Sequence, residues 1–554
     1  MELLQLLRTE AVPGLRRILA MATVAGLSNA AVLALINIAA NLKQEERSDI
    51  VTLGALFILV VAAYTVSQSF VMSSTAQEVE RIIHRIRCRL VEELRTCELD
   101  GMEKVGRTTI FNGLSKEIQT IAQSGNMLGM LVQDGVLLIF ATLYLILVSL
   151  PAFVLTMIFT AVATWLYLAR MARINAAIQE AKVAEYRLHD LLGGVLDGFK
   201  EIKLNSRRSA ESTDDVVRAS LNAADERTKA QSEFGRTFVF TQNVFFLLLG
   251  TVVFLVPMLS EITSDSLVKA TAAVLFLFAP LSAVVSSIPV LASANASANA
   301  ITDLERLLHK TGEDGRRIVS RPASAAPATF REIELRDVTF RFDEGNADCP
   351  FQVGPINLKL RAGETVFISG GNGSGKSTFM RLLTSLYWPQ RGMIQVDGQL
   401  LEREDVDGYR ALFSAVFSDY HLFKRLYGLD EEALEQAQTL IEEFELSDKT
   451  TLIGNGFSTV DLSAGQRKRL ALIVAIMERR PICVLDEWAA DQDPYFRRKF
   501  YDDVIPKMKA EGTTIICVTH DDRYFGLADR RIHLEEGRIV MDTRVAANGE
   551  TANA

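Results

Sequence analysis

The sequence predicts two fold classes in one chain: an all-α membrane domain of six transmembrane helices, followed by an α/β P-loop domain. Three observations carry that prediction. Six apolar stretches precede residue 310, each long enough to cross the hydrocarbon layer, which takes about 20 helical residues. After Leu308 the pattern changes to short alternating strands. Within that second part lies Gly370-Gly371-Asn372-Gly373-Ser374-Gly375-Lys376-Ser377-Thr378, which fits G-x-x-x-x-G-K-[ST] at every position.

At 554 residues the chain exceeds one compact core. Composition divides it into a transmembrane domain over 1–310, a linker over 311–329 and a nucleotide-binding domain over 330–554. The net charge of −9 argues against a nucleic-acid surface. Five cysteines (Cys88, Cys97, Cys349, Cys483, Cys517) lack C-x-x-C spacing, which reads as reduced thiols rather than a disulfide framework or metal site. The first apolar run is about twice the length of a signal-peptide core and is followed by more spans, so no targeting peptide is expected.

The six stretches run approximately over 18–40, 50–72, 127–149, 151–171, 237–259 and 267–291. Short connections alternate with long ones, and the long ones carry the cations. Arg81, Arg85, Arg87, Arg89, Arg95, Lys104 and Arg107 fall in one, and Arg173, Lys182, Arg187, Lys200, Lys203, Arg207 and Arg208 in the other; the short connections hold only Lys43 and Arg47. The positive-inside tendency then puts both long connections and both termini in the cytoplasm. Solvation of a helix face is the competing explanation for such charge runs.

The second helix is expected to continue from about Ile50 to Leu99, roughly 70 Å and far more than a bilayer needs. Asp100–Gly106 and Leu191–Lys200 interrupt the helical pattern with glycines and can form short transverse elements whose apolar residues dock on a partner domain; ordinary punctuation between helices explains them equally. Within the spans Gln133, Asp134, Gln242 and Asn243 are candidates to face a substrate cavity, since polar groups facing lipid are costly. Hydrogen bonding between helices accounts for them as well.

The chemistry sits in the second half. Thr365–Ser369 reads as a buried strand and Phe379–Leu383 as a helix, so the glycine-rich loop lies where its N–H groups and a helix N-terminus can surround phosphates. Lys376 supplies charge for the β- and γ-phosphates of ATP, and Ser377 an oxygen for Mg²⁺. Ile482–Leu485 is an apolar strand ending in Asp486, placed for the Mg²⁺ shell, and Glu487, placed to polarise the attacking water. Ser463, Gly465 and Gln466 open a cationic helix and make a second anion site, which implies a nucleotide held between two chains; an N-capped helix start is the plain alternative. Thr513–Thr519 is a strand leading to His520, an imidazole placed to sense the γ-phosphate.

These motifs, in this order behind six spans, resemble the ATP-binding cassette (ABC) family, in its exporter half-transporter form. Val353–Leu358, Gly370–Thr378, Leu412–Asp419 and Asp486–Pro494 resemble its cyclic-peptide exporter branch, which handles microcins, lipopeptides and siderophore precursors, as does Gly198–Leu204 in the membrane part. The resemblance makes Gly370–Thr378 the Walker A loop, Asp486-Glu487 the end of Walker B, Ser463 and Gly465 part of the signature, Asp491 a D-loop residue, His520 the switch histidine, and Phe342 the aromatic on adenine. It implies a homodimer in the bacterial inner membrane, coupling helices at the two transverse elements, and ATP hydrolysis driving export of a peptide-like molecule. It also allows a periplasmic or outer-membrane partner.

Two departures stand out. Ser418 occupies the position where the family has a Mg²⁺-ligating glutamine, and Ala464 the position of a signature glycine. No cysteine-protease domain precedes the first span, so peptide cargo is expected to arrive mature. A lipid flippase or broad drug exporter, and a membrane-anchored regulatory ATPase without translocation, are the alternatives.

Overall fold

The computed structural model describes residues 14–39, 47–259, 264–311, 329–342, 351–545 and 551–553. The body of the expected linker (312–328), Lys43 in the first short connection, and Cys349 lie outside the described residues. The chain forms two compact units: Met1–Glu92 with Arg107–Arg306, and Glu93–Gly106 with Leu307–Ala554. A piece of the first half, Glu93–Gly106, thus belongs with the second unit.

The first unit is helical. It contains α1 (Gly14–Ala39), most of α2 (Arg47–Thr96), α4 (Arg107–Val148), α5 (Leu150–Asp197), α6 (Phe199–Leu204), α7 (Ser206–Met258) and most of α8 (Ser264–Thr311). The six long ones are each long and apolar enough to cross a membrane. Ile58 and Leu59, adjacent on α2, are both exposed, as in a helix bathed in lipid rather than one with a single buried stripe. Between α4 and α5 the chain breaks at Ser149, whose hydroxyl accepts from Ala152 N–H, while Pro151 starts the new helix. Helices α1 and α4 meet closely at Gly26, where a Cβ would stand 2.7 Å from Val136 Cγ1 and 2.9 Å from the Gln133 carbonyl.

The second reversal falls later than the sequence reading placed it. Helix α5 runs on through Gly193 and Gly194 to Asp197, because two glycines costing about 1 kcal/mol each do not stop a 48-residue helix. The turn comes at Gly198, and only Phe199–Leu204 forms the short element. The first reversal is α3 (Leu99–Val105), closed by Gly106 at φ 86°.

The second unit is a layered α/β domain. An antiparallel sheet in the order β2-β1-β4-β5 is built from β1 (Glu332–Arg341), β2 (Gln352–Arg361), β4 (Arg391–Val396) and β5 (Gln399–Leu400). A seven-stranded sheet has the order β13-β12-β11-β3-β10-β9-β6. Its strands are β3 (Thr365–Gly370), β6 (Phe413–Val416), β9 (Ile482–Asp486), β10 (Thr514–Val518), β11 (Arg530–Glu535), β12 (Arg538–Val545) and β13 (Thr551–Asn553). Strands β11, β3, β10, β9 and β6 run parallel, with Ile368 and Asp486 both opposite Val518. Fully buried runs such as Ile482–Asp486 are what a parallel sheet covered on both faces requires. The loops leaving β3, β9, β10 and β6 therefore gather at one carboxyl edge, the place where ligands bind in such sheets.

Candidate nucleotide site

The phosphate loop leaves β3 at that edge and ends where α9 (Lys376–Leu383) begins. Gly375 sits at φ 95°, and a Cβ there would come within 2.9 Å of Val353 Cγ2 and 3.3 Å of Phe351 Cζ, so the turn into α9 takes glycine. The Lys376 side chain is buried, donates to the carbonyls of Gly370 and Gly371 at 3.0 and 2.9 Å, and lies 3.8 Å from Glu487 Oε1.

Asp486 is buried at the end of β9. Its Oδ2 accepts from Ser377 Oγ at 3.0 Å, while its Oδ1 is buried without a partner, as is Ser374 Oγ. A buried carboxylate oxygen left unpaired is costly, and hard divalent cations take oxygen ligands, so this donor set fits Mg²⁺ held by Ser377 and Asp486. Bound there with ATP, Mg²⁺ would neutralise charge on the phosphate oxygens.

Glu487 follows at φ 50°, ψ 37°, in the left-handed region that a non-glycine residue occupies only when its surroundings hold it. Three contacts do so. Its N–H donates to the Val518 carbonyl at 3.2 Å, its carbonyl accepts from Lys468 Nζ at 2.9 Å, and its Oε1 is 3.3 Å from His520 Nε2. The strand register, Asp486 opposite Val518, brings the glutamate and His520 together.

Ser463 caps α12 (Ala464–Met477): its hydroxyl accepts from Gln466 N–H, and Gln466 Oε1 accepts from Ser463 N–H. Among the described residues none of the hydrogen bonds of Ser463, Gly465 or Gln466 reaches the phosphate loop. Gly465 faces the loop after β9 instead, where a Cβ would stand 2.8 Å from the Asp491 carbonyl. Lys468, buried one turn later, also ion-pairs with Asp491 Oδ2 at 2.6 Å. Arg469 bonds Gln492 and Asp493 and covers the Phe496 ring at 3.6 Å. Phe496 N–H, donating to the Asp493 carboxylate, is the first cause holding that group below the usual range.

The remaining sequence candidates have these surroundings. Phe342 packs edge-on against Phe340 and Tyr387, whereas Phe351 is the aromatic beside Gly375. Ser418 is exposed in the turn after β6, which the pairing of Val416 with Leu485 puts near the end of β9. Gln133 is buried beside the α1–α4 contact and Asn243 is exposed. Asp134 is half-buried, and Gln242 borders a void of about 10 Å³.

The first unit holds a larger cavity, of about 740 Å³, between α5, α7 and α8. Its wall carries Thr160, Thr164, Asn175, Gln179, Asn295 and Asn299 among Leu, Ile, Val and Met side chains, and among the described residues no ionisable group lines it. A second cavity, of about 540 Å³, shares Ile178 with it and is charged, with Lys116, Glu117, Lys182, Glu185 and Arg227. The Arg227 guanidinium donates to Glu185 at 2.5 Å, and Tyr186 hydroxyl to Glu117 at 3.2 Å. None of the four polar span residues singled out from sequence lines either of these cavities.

A P-loop ATPase joined to six membrane helices is the class these features define. The family model described as ABC transporter matches residues 353–490. ATP-binding protein SyrD of Pseudomonas syringae pv. syringae is 33% identical over 484 residues, 85% of each chain. The chain belongs to the ABC transporter family, as an exporter half-transporter in which hydrolysis of ATP, bound with Mg²⁺, is coupled to transport. The probable syringafactin export ATP-binding/permease protein SyfD of P. syringae pv. syringae (strain B728a) is 31% identical over 38% of this chain and 34% of its own length. The ATP-dependent lipid A-core flippase of Alkalilimnicola ehrlichii is 33% identical over 38% of this chain and 37% of its own. A solved bacterial Atm1-family ABC exporter with ATP bound shares the fold, with a TM-score of 0.73 over 97% of this chain and 95% of that one at 17% identity.

Proposed function

We propose that this transporter exports a peptide-type natural product, a cyclic peptide, lipopeptide, microcin or siderophore precursor, as a homodimer in the bacterial inner membrane with its ATPase unit and termini in the cytoplasm. The cavity wall carries the cargo reading. Amide and hydroxyl groups set among aliphatic side chains, with no ionisable group among the described lining residues, suit a molecule rich in peptide bonds and apolar groups. The similarity to SyrD, which runs through the spans as well as the ATPase, supports the same reading, as does the export role named for SyfD.

In this account Lys376 and the loop Gly370–Thr378 bind phosphates, Ser377 and Asp486 hold Mg²⁺, and Glu487 takes the proton of the attacking water with His520 orienting it. Ser463, Gly465, Gln466 and Asp491 face the second chain's nucleotide, because among the described residues their side-chain bonds run to one another and to α12's surroundings rather than to the phosphate loop. The domain boundaries proposed are 1–310 and 330–554, with 93–106 attached to the ATPase unit.

A lipid flippase is the second reading, favoured by the cationic residues of the smaller cavity and by the similarity to the lipid A-core flippase over 38% of this chain. Comparing culture medium with and without the gene separates the two. Loss of a secreted peptide-like compound supports export; unchanged medium with altered lipid asymmetry supports the flippase and removes the proposal.

A further inference from the structure

The second unit contains a polar network that none of the motifs accounts for. Its hub is Arg381, on α9 five residues beyond Lys376, in a helix anchored by buried Phe379, Met380, Leu382 and Leu383. The guanidinium donates through NH2 to Asp419 Oδ2 at 2.9 Å and through NH1 to the Tyr387 hydroxyl at 2.8 Å, and lies 3.5 Å from Glu103 Oε1. Tyr387 in turn donates to Glu103 Oε2 at 2.6 Å, with its ring stacked on Phe340 at 4.6 Å. Burial, then the Glu103 hydrogen bond, pushes the Tyr387 phenol up to about 12, so it stays a neutral donor. Nearby Arg410 binds the Glu98 carboxylate with both nitrogens and also donates to the Ser385 carbonyl.

These contacts join three places. Asp419 follows Ser418 in the turn beside the end of β9, Arg381 rides on the helix whose first turn is the phosphate site, and Glu103 lies on the transverse helix α3. We infer that Arg381 is the positioning residue that carries nucleotide occupancy from the phosphate loop and the Ser418–Asp419 turn to α3 through Tyr387 and Glu103. A guanidinium offers several donors in a fixed fork, and here one group holds three acceptors. Movement of α9 or of the turn therefore reaches α3 through hydrogen bonds rather than through backbone alone.

The test uses full-length protein in proteoliposomes, in a background with Cys88, Cys97 and Cys349 replaced and Asn175→Cys introduced in the cavity wall. The rate of maleimide labelling is measured with and without ATP plus orthovanadate, alongside basal ATP hydrolysis. In this parent, ATP plus vanadate should change labelling about tenfold, within the usual range of coupling between sites. Arg381→Met and Glu103→Gln should each reduce that change below about twofold while basal hydrolysis stays within about twofold, with the double variant no worse than either and Arg381→Lys partly restoring it. The inference is overturned by a parent whose labelling ATP does not alter, by an ATP response that survives both substitutions, or by a response lost only in proportion to hydrolysis. Should Arg381→Met not yield folded protein, the near-isosteric Glu103→Gln decides alone. No cargo is needed, so this outcome is independent of what is exported.

Discussion

Replacing Lys468 by Met should slow ATP turnover by about 10- to 100-fold while leaving ATP binding nearly unchanged. Lys468 is buried, and its ammonium holds the Glu487 carbonyl at 2.9 Å and Asp491 Oδ2 at 2.6 Å. Glu487 is held at φ 50°, which costs a non-glycine residue about 1–2 kcal/mol relative to ordinary backbone. A hydrogen bond from a charged donor contributes about 1.5–3 kcal/mol, enough to offset that strain, whereas the half-exposed Asp491 carboxylate loses less than about 1 kcal/mol when its partner goes. Without the ammonium the strained backbone loses its charged hydrogen bond, the remaining contacts to Val518 and His520 hold it less firmly, and the carboxylate spends less time beside His520. A deficit of about 1.5–3 kcal/mol in the positioned state corresponds to the stated drop, since each 1.4 kcal/mol is about tenfold. Steady-state hydrolysis by purified full-length protein, with ATP affinity measured separately, checks this. Methionine fills the same volume, so a cavity does not confuse the result. Turnover within about twofold of the parent, or a loss confined to ATP affinity, would refute the holding role of Lys468.

Three further outcomes are expected. Glu487→Gln should purify folded and bind ATP yet turn over at least about 100-fold more slowly; near-normal hydrolysis would remove Glu487 from the general-base role. Gly465→Ala places a methyl 2.8 Å from the Asp491 carbonyl, so thermal unfolding should show a loss of about 1–3 kcal/mol together with reduced hydrolysis. Cys88 is exposed and should react with a thiol reagent in native protein, whereas Cys483 and Cys517 should not; burial pushes both thiols up, Cys483 to about 12, and only denaturation should make them titrate normally.

The parts of the site made by one contiguous stretch were legible from sequence. The phosphate loop, Asp486-Glu487 and the strand before His520 each combine a local pattern with a defined place at a strand end, and the parallel register then brings them together. Residues that act across elements were not. Lys468 reads as one more cation on an amphipathic helix, and its contact with Glu487 exists only because α12 packs behind β9. The Arg381–Tyr387–Glu103 network spans nearly three hundred positions of chain, and no periodicity announces it. The cavity was missed because Asn175, Gln179, Asn295 and Asn299 lie just beyond the apolar windows that define the spans, while helices α5 and α8 continue as regular structure past them. Their i, i+4 spacing was a usable signal: each pair presents two amides on one helix face. The position of the second reversal was misjudged for a related reason, since a pair of glycines weakens a long helix without ending it.

The central claim, that ATP hydrolysis at this site moves a peptide-type molecule across the membrane, is tested most directly in inverted membrane vesicles containing the full-length protein and a labelled, acylated cyclic peptide. ATP should drive accumulation of the label inside the vesicles, and vesicles carrying Glu487→Gln should accumulate none. Hydrolysis of ATP at the normal rate with no accumulation of the peptide, or equal accumulation by the Glu487→Gln vesicles, would contradict the account.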